Sequence, residues 1–317
     1  MEFHHIPVLA NEVVSQFELE SGNVFVDGTL GGGNHAERML KAFPGIHLIG
    51  IDQDEDALAA AQKRLAPYGD RVTFVRENYR NIKAVLKRLD IPEIHGGLLD
   101  IGVSSYQLDE GQRGFSFHHD APLDMRMDRR NEKTARDVVN TYTKEELAEI
   151  FWKYGEENWG LRIAEFIVRE RKEKPIETTS DLVRVIRMAI PKRVRENAHP
   201  GRKVFQAIRI EVNDELGALE EGLEDFVDAL APKGRLAVIT FHSLEDRIVK
   251  QTFRTMSQDC ICPKDFPVCV CGHVKKLRLV NTKPITASKD ECKMNPRSRS
   301  AKLRVGEKIE QRSESVC

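Results

Sequence analysis

The sequence predicts an α/β fold, a parallel sheet covered on both faces by helices and interrupted by an inserted all-helical segment. Three observations predict it. Short apolar runs alternate with amphipathic stretches over the first hundred residues, which is the signature of strands joined by crossover helices. The alternation stops at a charged, aromatic-rich stretch and gives way to helical periodicity alone, then returns near residue 203. A glycine cluster stands where the first strand turns into the first helix after it, as in sheets that bind a cofactor at strand ends.

The chain of 317 residues has 49 basic and 50 acidic side chains, is 40% hydrophobic and 31% charged, and carries a net charge of −1. At roughly 100–200 residues per domain it holds one large domain or two moderate ones. Aliphatic residues are spread throughout, which excludes bulk disorder. No apolar run approaches the ~18 residues a membrane span needs, and the start Met1-Glu2-Phe3-His4 has no secretory character. The expected compartment is cytoplasmic, so the six cysteines are expected as thiols or metal ligands. The charge is unevenly placed. Residues 1–60 carry ten acidic residues against Arg38 and Lys41, residues 161–210 thirteen basic against six acidic, and residues 275–308 eleven against three. Basic segments of this kind suit an anionic partner or a solvated helix face.

In order, Val24–Asp27 reads as a strand, His35–Ala42 as a helix, His47–Asp52 as a strand and Asp54–Leu65 as a helix with acidic residues in its first turn. Val72–Val75 is a third strand, 80–89 a helix with Ile82, Val85, Leu86 and Leu89 on one face, and Gly97–Ile101 a fourth strand. Residues 103–130 are loop-like. From Thr143 to Ile190 only helices are expected, one of them opened by Thr143 as N-cap with Glu146 three residues on. A long helix is expected from Lys203 to Leu230, a turn at Pro232-Lys233-Gly234, a fifth strand to Phe241 and a helix over Ser243–Met256. Leu277–Val280 and Ala301–Val305 read as a closing hairpin or as neighbouring strands. The expected division is a cofactor domain over 1–107 and 203–306, a helical insertion for substrate recognition over 108–202, and a flexible tail over 307–317.

Asp27-Gly28-Thr29-Leu30-Gly31-Gly32-Gly33-Asn34-His35 is the most informative segment. Glycines admit a ligand close to the backbone, and a helix N-terminus offers free N–H groups. Asp52 closes the next strand, where a carboxylate can accept ribose hydroxyls. Gly31, Gly33 and Ala36 fit the dinucleotide pattern superficially, but Asp27 stands at the strand end, where it would repel a pyrophosphate and attract the cationic sulfonium and ammonium of S-adenosylmethionine. A glycine turn without a ligand is the plain alternative. Asp100 ends the fourth strand and faces the same crevice. After it, Phe115, Phe117, Met125, Arg126 and Met127 suit stacking on a flat ring or, equally, a core beneath a long loop.

His5–Leu9, Asp27–His35, Leu99–Ser105, Arg113–Phe117, Pro122–Met127, Phe205–Ile210, Phe241–Arg247 and Asn295–Ser300 stand in this order. Together these blocks, covering about residues 4–306, closely resemble the bacterial small-subunit ribosomal RNA cytosine-N4 methyltransferases, the RsmH or MraW family. The resemblance implies a Rossmann-like S-adenosylmethionine-dependent sheet interrupted by a helical recognition domain. It implies as substrate a cytosine in the decoding region of 16S rRNA, cytosine 1402 in standard rRNA numbering, within the small ribosomal subunit. By motif position the family's cofactor contacts fall on Gly33, Asn34 and His35, then Asp52, Tyr79, Asp100 and Gln107. Turn amides would hold the methionine carboxylate, Asp52 the ribose, Tyr79 the adenine, and Asp100 the amino group or the reacting centre. One departure from many amino-group methyltransferases is that Asp100-Ile101-Gly102-Val103 lacks a Pro-Pro-aromatic sequence, so the acceptor and stacking roles fall elsewhere. Asp100 is the candidate catalytic acceptor of an amine proton, with Phe115, Phe117 or Phe241 stacking on the base. His242 is a candidate acceptor or RNA contact, Arg126 a substrate contact, and Arg184, Arg187, Lys192, Arg193, Arg195, Arg202 and Lys203 a phosphate-binding surface. Arg297, Arg299 and Lys302 are a second basic candidate.

Cys260, Cys262, Cys269 and Cys271 form two Cys-x-Cys pairs. They are read as a zinc or iron–sulfur candidate or as plain thiols or incidental disulfides, since methyl transfer needs no metal. Another acceptor such as DNA cytosine, and a non-catalytic small-subunit assembly factor, are the competing functions. The sequence leaves the oligomeric state open, a homodimer included.

Overall fold

The structure, a computed structural model, describes residues 7–104, 107, 111–192, 199–264 and 266–310. The chain divides into two compact units, 1–102 with 216–317, and 103–215.

The first unit is built on a sheet. After a short helix, α1 (Ala10–Val14), the chain runs through β1 (Val24–Asp27), α2 (Asn34–Ala42), β2 (His47–Asp52), α3 (Glu55–Leu65), β3 (Val72–Arg76), α4 (Ile82–Arg88) and β4 (Ile94–Asp100). These four strands lie parallel in the order β3-β2-β1-β4. Side chains alternate between two fully formed cores. Val26, Ile49, Ile51 and Leu99 fill one face, and Phe25, Leu48 and Leu98 the other. A strand buried on both sides has no polar face, which is why these runs were readable as strands.

The second unit is helical: α5 (Ala135–Thr141), α6 (Lys144–Lys153), α7 (Gly160–Glu173), α8 (Thr179–Ala189) and α9 (Arg202–Asn213). Thr134–Asp137 and Thr143–Glu146 form capping boxes, each satisfying donors that the first helical turn leaves unpaired. Phe151, Ile163, Ile167, Leu182, Val185 and Ile186 are buried in its core. The loop before α5 is packed into this unit. The Leu123 and Thr179 N–H groups donate to the Glu177 and Ala121 carbonyls, and the Asn213 side chain accepts from the Met127 N–H and donates to the Met125 carbonyl. Met125 and Met127 are buried there.

The expected single helix over 203–230 is two helices, α9 and α10 (Glu215–Ala229). Asp214 between them is left-handed, with φ 47° and ψ 45°, a conformation that Asp tolerates better than most residues. Arg209 holds Glu215 through two hydrogen bonds of 2.7 and 3.0 Å across this break.

The sheet unit resumes with α10, whose Leu219, Leu223, Phe226 and Val227 cover the sheet. Then come β5 (Leu230–Thr240), α11 (Ser243–Met256), β6 (Leu277–Leu279), β7 (Ile285–Thr286), α12 (Lys289–Met294) and β8 (Lys302–Lys308). The Pro232-Lys233-Gly234 turn lies inside β5, where the register with β4 shifts between Ile94 and Gly96 and Lys233 takes φ 67°. β8 is antiparallel to β5 and to β6, completing the order β3-β2-β1-β4-β5-β8-β6 with β7 also on β8. The strand runs to Lys308, covering the first two residues of the expected tail. Glu307 is buried and accepts from Arg235 and Arg278. Residues 311–317 lie outside the described residues. Among the described residues no helix is long and apolar enough to cross a membrane.

Candidate functional site

β1, β2 and β4 end in Asp27, Asp52 and Asp100. Parallel strands in register bring their carboxyl ends to one edge, and Asp27 stands opposite Gly50 on β2 and Leu98 on β4. Asp27 is 1% exposed, and its carboxylate accepts the Thr29 N–H at 3.2 Å. Burial, then the neighbouring Asp52, pushes it up to about 7. Asp52 accepts the Gly31 N–H and the Asp54 N–H, each at 2.8 Å, and burial lifts it to about 6 against those bonds. Asp100 reaches about 8 through burial, then repulsion from Asp27 and Glu245. Its Oδ1 is buried without a hydrogen-bond partner among the described residues, and its Oδ2 lies 3.7 Å from His35 Nε2.

This donor set fits a cationic group. Desolvated carboxylates facing one another carry unspent attraction for a positive charge, and an orphaned carboxylate oxygen marks where it would be received. A pyrophosphate would meet only repulsion there.

Gly33 caps α2 at φ 77° and ψ 18°, a backbone state that costs glycine nothing. A Cβ there would also lie 3.2 Å from Leu65. Asn34 and His35 then form the first turn of α2. Tyr79, at the turn after β3, is packed against α10, where a Cβ on Gly222 would lie 2.7 Å from its ring. Gln107, in the helical unit, is buried and bonds reciprocally with Ser104 at 3.0 and 3.2 Å.

Two residues enter that the sequence reading missed. Glu245 has a fully buried side chain. It accepts the Phe241 and His242 N–H groups at 2.8 and 3.2 Å, and its charge raises Asp100. Gly222 makes room for Tyr79. The signal for Glu245 was present, because His242 and Glu245 have capping-box spacing.

That spacing also gives His242 a place in the helix cap. It is the N-cap of α11, with Nδ1 accepting the Glu245 N–H at 3.4 Å and Nε2 2.8 Å from Glu245 Oε1. His242 therefore has a structural role at the start of α11. Phe241 is half-buried against the sheet core.

In the helical unit, Phe115 is buried in the core beside the Arg113 guanidinium. Arg126 spends its guanidinium on both oxygens of Asp124 and on the carbonyls of Arg129 and Asn131, and so locks the loop. Phe117 is placed differently. It stacks on His199 at 4.1 Å and 8° and lines a cleft of about 580 Å³ with Val183, Arg184, Arg187, Met188 and His199, large enough for a nucleobase. Burial and the Arg187 charge push His199 below its ordinary value, so its ring is neutral near pH 7. Arg184 pairs with Glu170 at 3.2 Å, and Arg187 makes no ion pair among the described residues. Lys203 donates to the Glu156 carbonyl. Lys192 and Arg202 are exposed, whereas Arg193 and Arg195 lie outside the described residues.

A sequence model of the MraW methylase family matches residues 2–309. Among curated proteins, "Ribosomal RNA small subunit methyltransferase H" of Carboxydothermus hydrogenoformans is 54% identical over 309 residues, covering 98% of this chain and 99% of the relative. The protein of the same name from Symbiobacterium thermophilum is 56% identical over 312 residues, covering 98% of each. That of Finegoldia magna is 52% identical, covering 98% of this chain and 100% of its own. With the strand-end carboxylates, the glycine turn and the helical insertion all inside the matched span, the chain belongs to the MraW methylase family.

Proposed function

We propose that this protein transfers a methyl group from S-adenosylmethionine to N4 of a cytosine in the decoding region of 16S rRNA, within the small ribosomal subunit. The observation that carries the reading is the match along nearly the whole chain to relatives named as small-subunit rRNA methyltransferases. The four carboxylates Asp27, Asp52, Asp100 and Glu245, the first three lifted by burial, support a cationic cofactor.

S-adenosylmethionine supplies an electrophilic methyl group on a sulfonium. The chain supplies position and charge. The N–H groups at the start of α2 suit the methionine carboxylate. Asp52 braces the glycine turn and keeps lone pairs for ribose hydroxyls. The Tyr79 ring, seated on Gly222, suits the adenine. The N4 lone pair of cytosine is delocalised into the ring, so the reaction needs an acceptor for an N–H proton as the new N–C bond forms. Asp100 suits that role: near neutral pH its carboxyl sits close to the proton-transfer range of a general base, and Oδ1 has a free lone pair. The base must leave any stack to be reached. In the helical unit, Phe117 with His199 offers a stacking face, and Arg187 with the basic helix ends offers phosphate contacts.

The reading is tested by incubating the purified protein with labelled S-adenosylmethionine and small subunits from a strain lacking this gene, then mapping modified nucleosides by mass spectrometry. N4-methylcytidine at one decoding-region position is the expected result. Cofactor binding with no transfer to subunits or to naked rRNA would overturn it in favour of another acceptor or an assembly role.

A further inference from the structure

Between the end of α11 at Met256 and the start of β6 at Leu277, none of the described residues belongs to a helix or strand. Loops of this length without structure of their own are uncommon in compact domains. This one also lacks a core, since Ile261, Phe266, Val268, Val270 and Val274 are all 47–73% exposed. Its base is nevertheless fixed. His273 Nε2 lies 2.9 Å from the Thr255 carbonyl, and the Lys276 N–H donates to the Met256 carbonyl at 2.8 Å.

What gathers the loop is sulfur. The Sγ atoms of Cys260, Cys262, Cys269 and Cys271 all lie within 4.8 Å of one another. Cys260 and Cys269 are 3.4 Å apart, Cys269 and Cys271 3.5 Å, and Cys260 and Cys271 3.8 Å. Four thiolates at about 2.3 Å from one zinc ion form a tetrahedron with edges of about 3.8 Å. An iron–sulfur cluster places its thiolates on different irons and spreads them wider. Two backbone amides, of Cys262 and Val270, donate to the sulfurs of Cys260 and Cys262 at 3.4 Å each. Gly272, at φ 60°, turns the chain directly after the last cysteine.

We propose that Cys260, Cys262, Cys269 and Cys271 bind one zinc ion that holds the 257–276 loop in place of a hydrophobic core. Each thiol gives its proton to solvent and its sulfur lone pair to Zn2+, so one ion replaces up to four protons and no electrons are transferred. The ion is structural, because all four coordination positions are filled by the chain. It is separate from the methyl-transfer chemistry, so its test stands whether or not that reading does.

The full-length chain is purified under reducing conditions without chelator and analysed for metals. The expected content is one zinc per chain, and its removal exposes four additional reactive thiols. Cobalt(II) added to the metal-free chain gives the d–d absorption of a tetrahedral tetrathiolate site. Cys260→Ser and Cys269→Ser each lower zinc affinity at least tenfold. Cys292→Ser, with its sulfur near Ser298 and not in the cluster, leaves the zinc content unchanged. Zinc removal speeds proteolytic cleavage within 257–276 at least tenfold. Iron in place of zinc, no cobalt spectrum from the reduced wild-type chain, disulfides among these four cysteines after reducing purification, or full zinc retention in both cluster variants would each overturn the site. Unchanged cleavage after zinc removal would overturn its structural role. The cobalt titration uses the wild-type chain and so stands even if a variant fails to fold.

Discussion

Asp52, at the end of β2, accepts the backbone N–H of Gly31 at 2.8 Å, so a side chain from one strand sets the path of the glycine turn that follows another. Its second oxygen accepts the Asp54 N–H. Hydrogen bonds to a charged acceptor contribute about 1.5–3 kcal/mol. Asp52→Ala is therefore expected to weaken S-adenosylmethionine binding by about 10- to 100-fold, with a smaller loss for Asp52→Asn, which keeps an acceptor for Gly31. Calorimetric titration of both variants checks this. Equal affinity in wild type and Asp52→Ala would remove the residue from the site.

Asp27, Asp52 and Asp100 are raised to about 7, 6 and 8 from 3.8. The folded chain then holds protons that the unfolded chain has already released, so stability from these groups is full below the unfolded value of 3.8 and is lost progressively as pH rises from there up to about 6 to 8. A cationic ligand prefers the ionised carboxylates, so its binding strengthens over the same window and releases protons. The ligand-free melting temperature is expected to fall from pH 6 to pH 8 while S-adenosylmethionine affinity rises. Titration in two buffers of different ionisation enthalpy measures the proton release. Affinity independent of pH across this window would contradict the arrangement.

Asp100→Asn preserves shape and removes the proton acceptor. General-base loss costs about 100- to 10,000-fold in rate, so kcat is expected to fall by at least ~100-fold in single-turnover assays with small subunits. The pH dependence of the rate near 8 should disappear with it. A variant that loses cofactor affinity but turns over at the wild-type rate when saturated would reassign Asp100 to binding alone.

In the helical unit, Phe117→Ala removes one ring of the Phe117–His199 stack. Base stacking contributes about 1–3 kcal/mol, so RNA affinity is expected to drop about 5- to 150-fold with cofactor affinity unchanged. Arg187→Ala is expected to reduce the salt slope of RNA binding by about one. Filter binding across a salt series separates the two effects.

Gly222→Val would drive a side chain into the Tyr79 ring, already 2.7 Å from a single added Cβ. Loss of cofactor affinity is expected with RNA affinity retained. Displacement of Tyr79 without any change in cofactor affinity would free that ring from the adenine role.

The central strands were legible because they are buried on both faces, which leaves an unbroken apolar signature in Val24–Val26, Leu48–Ile51 and Leu236–Ile239. Their terminal carboxylates followed from strand ends alone. Asp214 was not legible, because helical periodicity continues on both sides of it and one left-handed residue leaves no periodic trace. The inward packing of Phe115 and the pairing of Arg126 were not legible, because composition cannot say whether a loop side chain turns inward. Tertiary contacts decided that, with Asp124 taking the guanidinium. Gly222 and Tyr79 lie far apart in sequence, and nothing local announces their contact. The His242–Glu245 cap was legible from its three-residue spacing.

The sheet unit is discontinuous, whereas residues 103–215 are contiguous. On the ribosome that order has a consequence. β4 emerges with one edge unpaired and waits for β5, whose Arg235–Ile239 must pair with Gly96–Asp100 across an intervening chain that can close its own core first. Synthesis at about 5–20 residues per second leaves that edge open for several seconds. The nascent chain is therefore most prone to misassociation while its helices are complete and its sheet is half made.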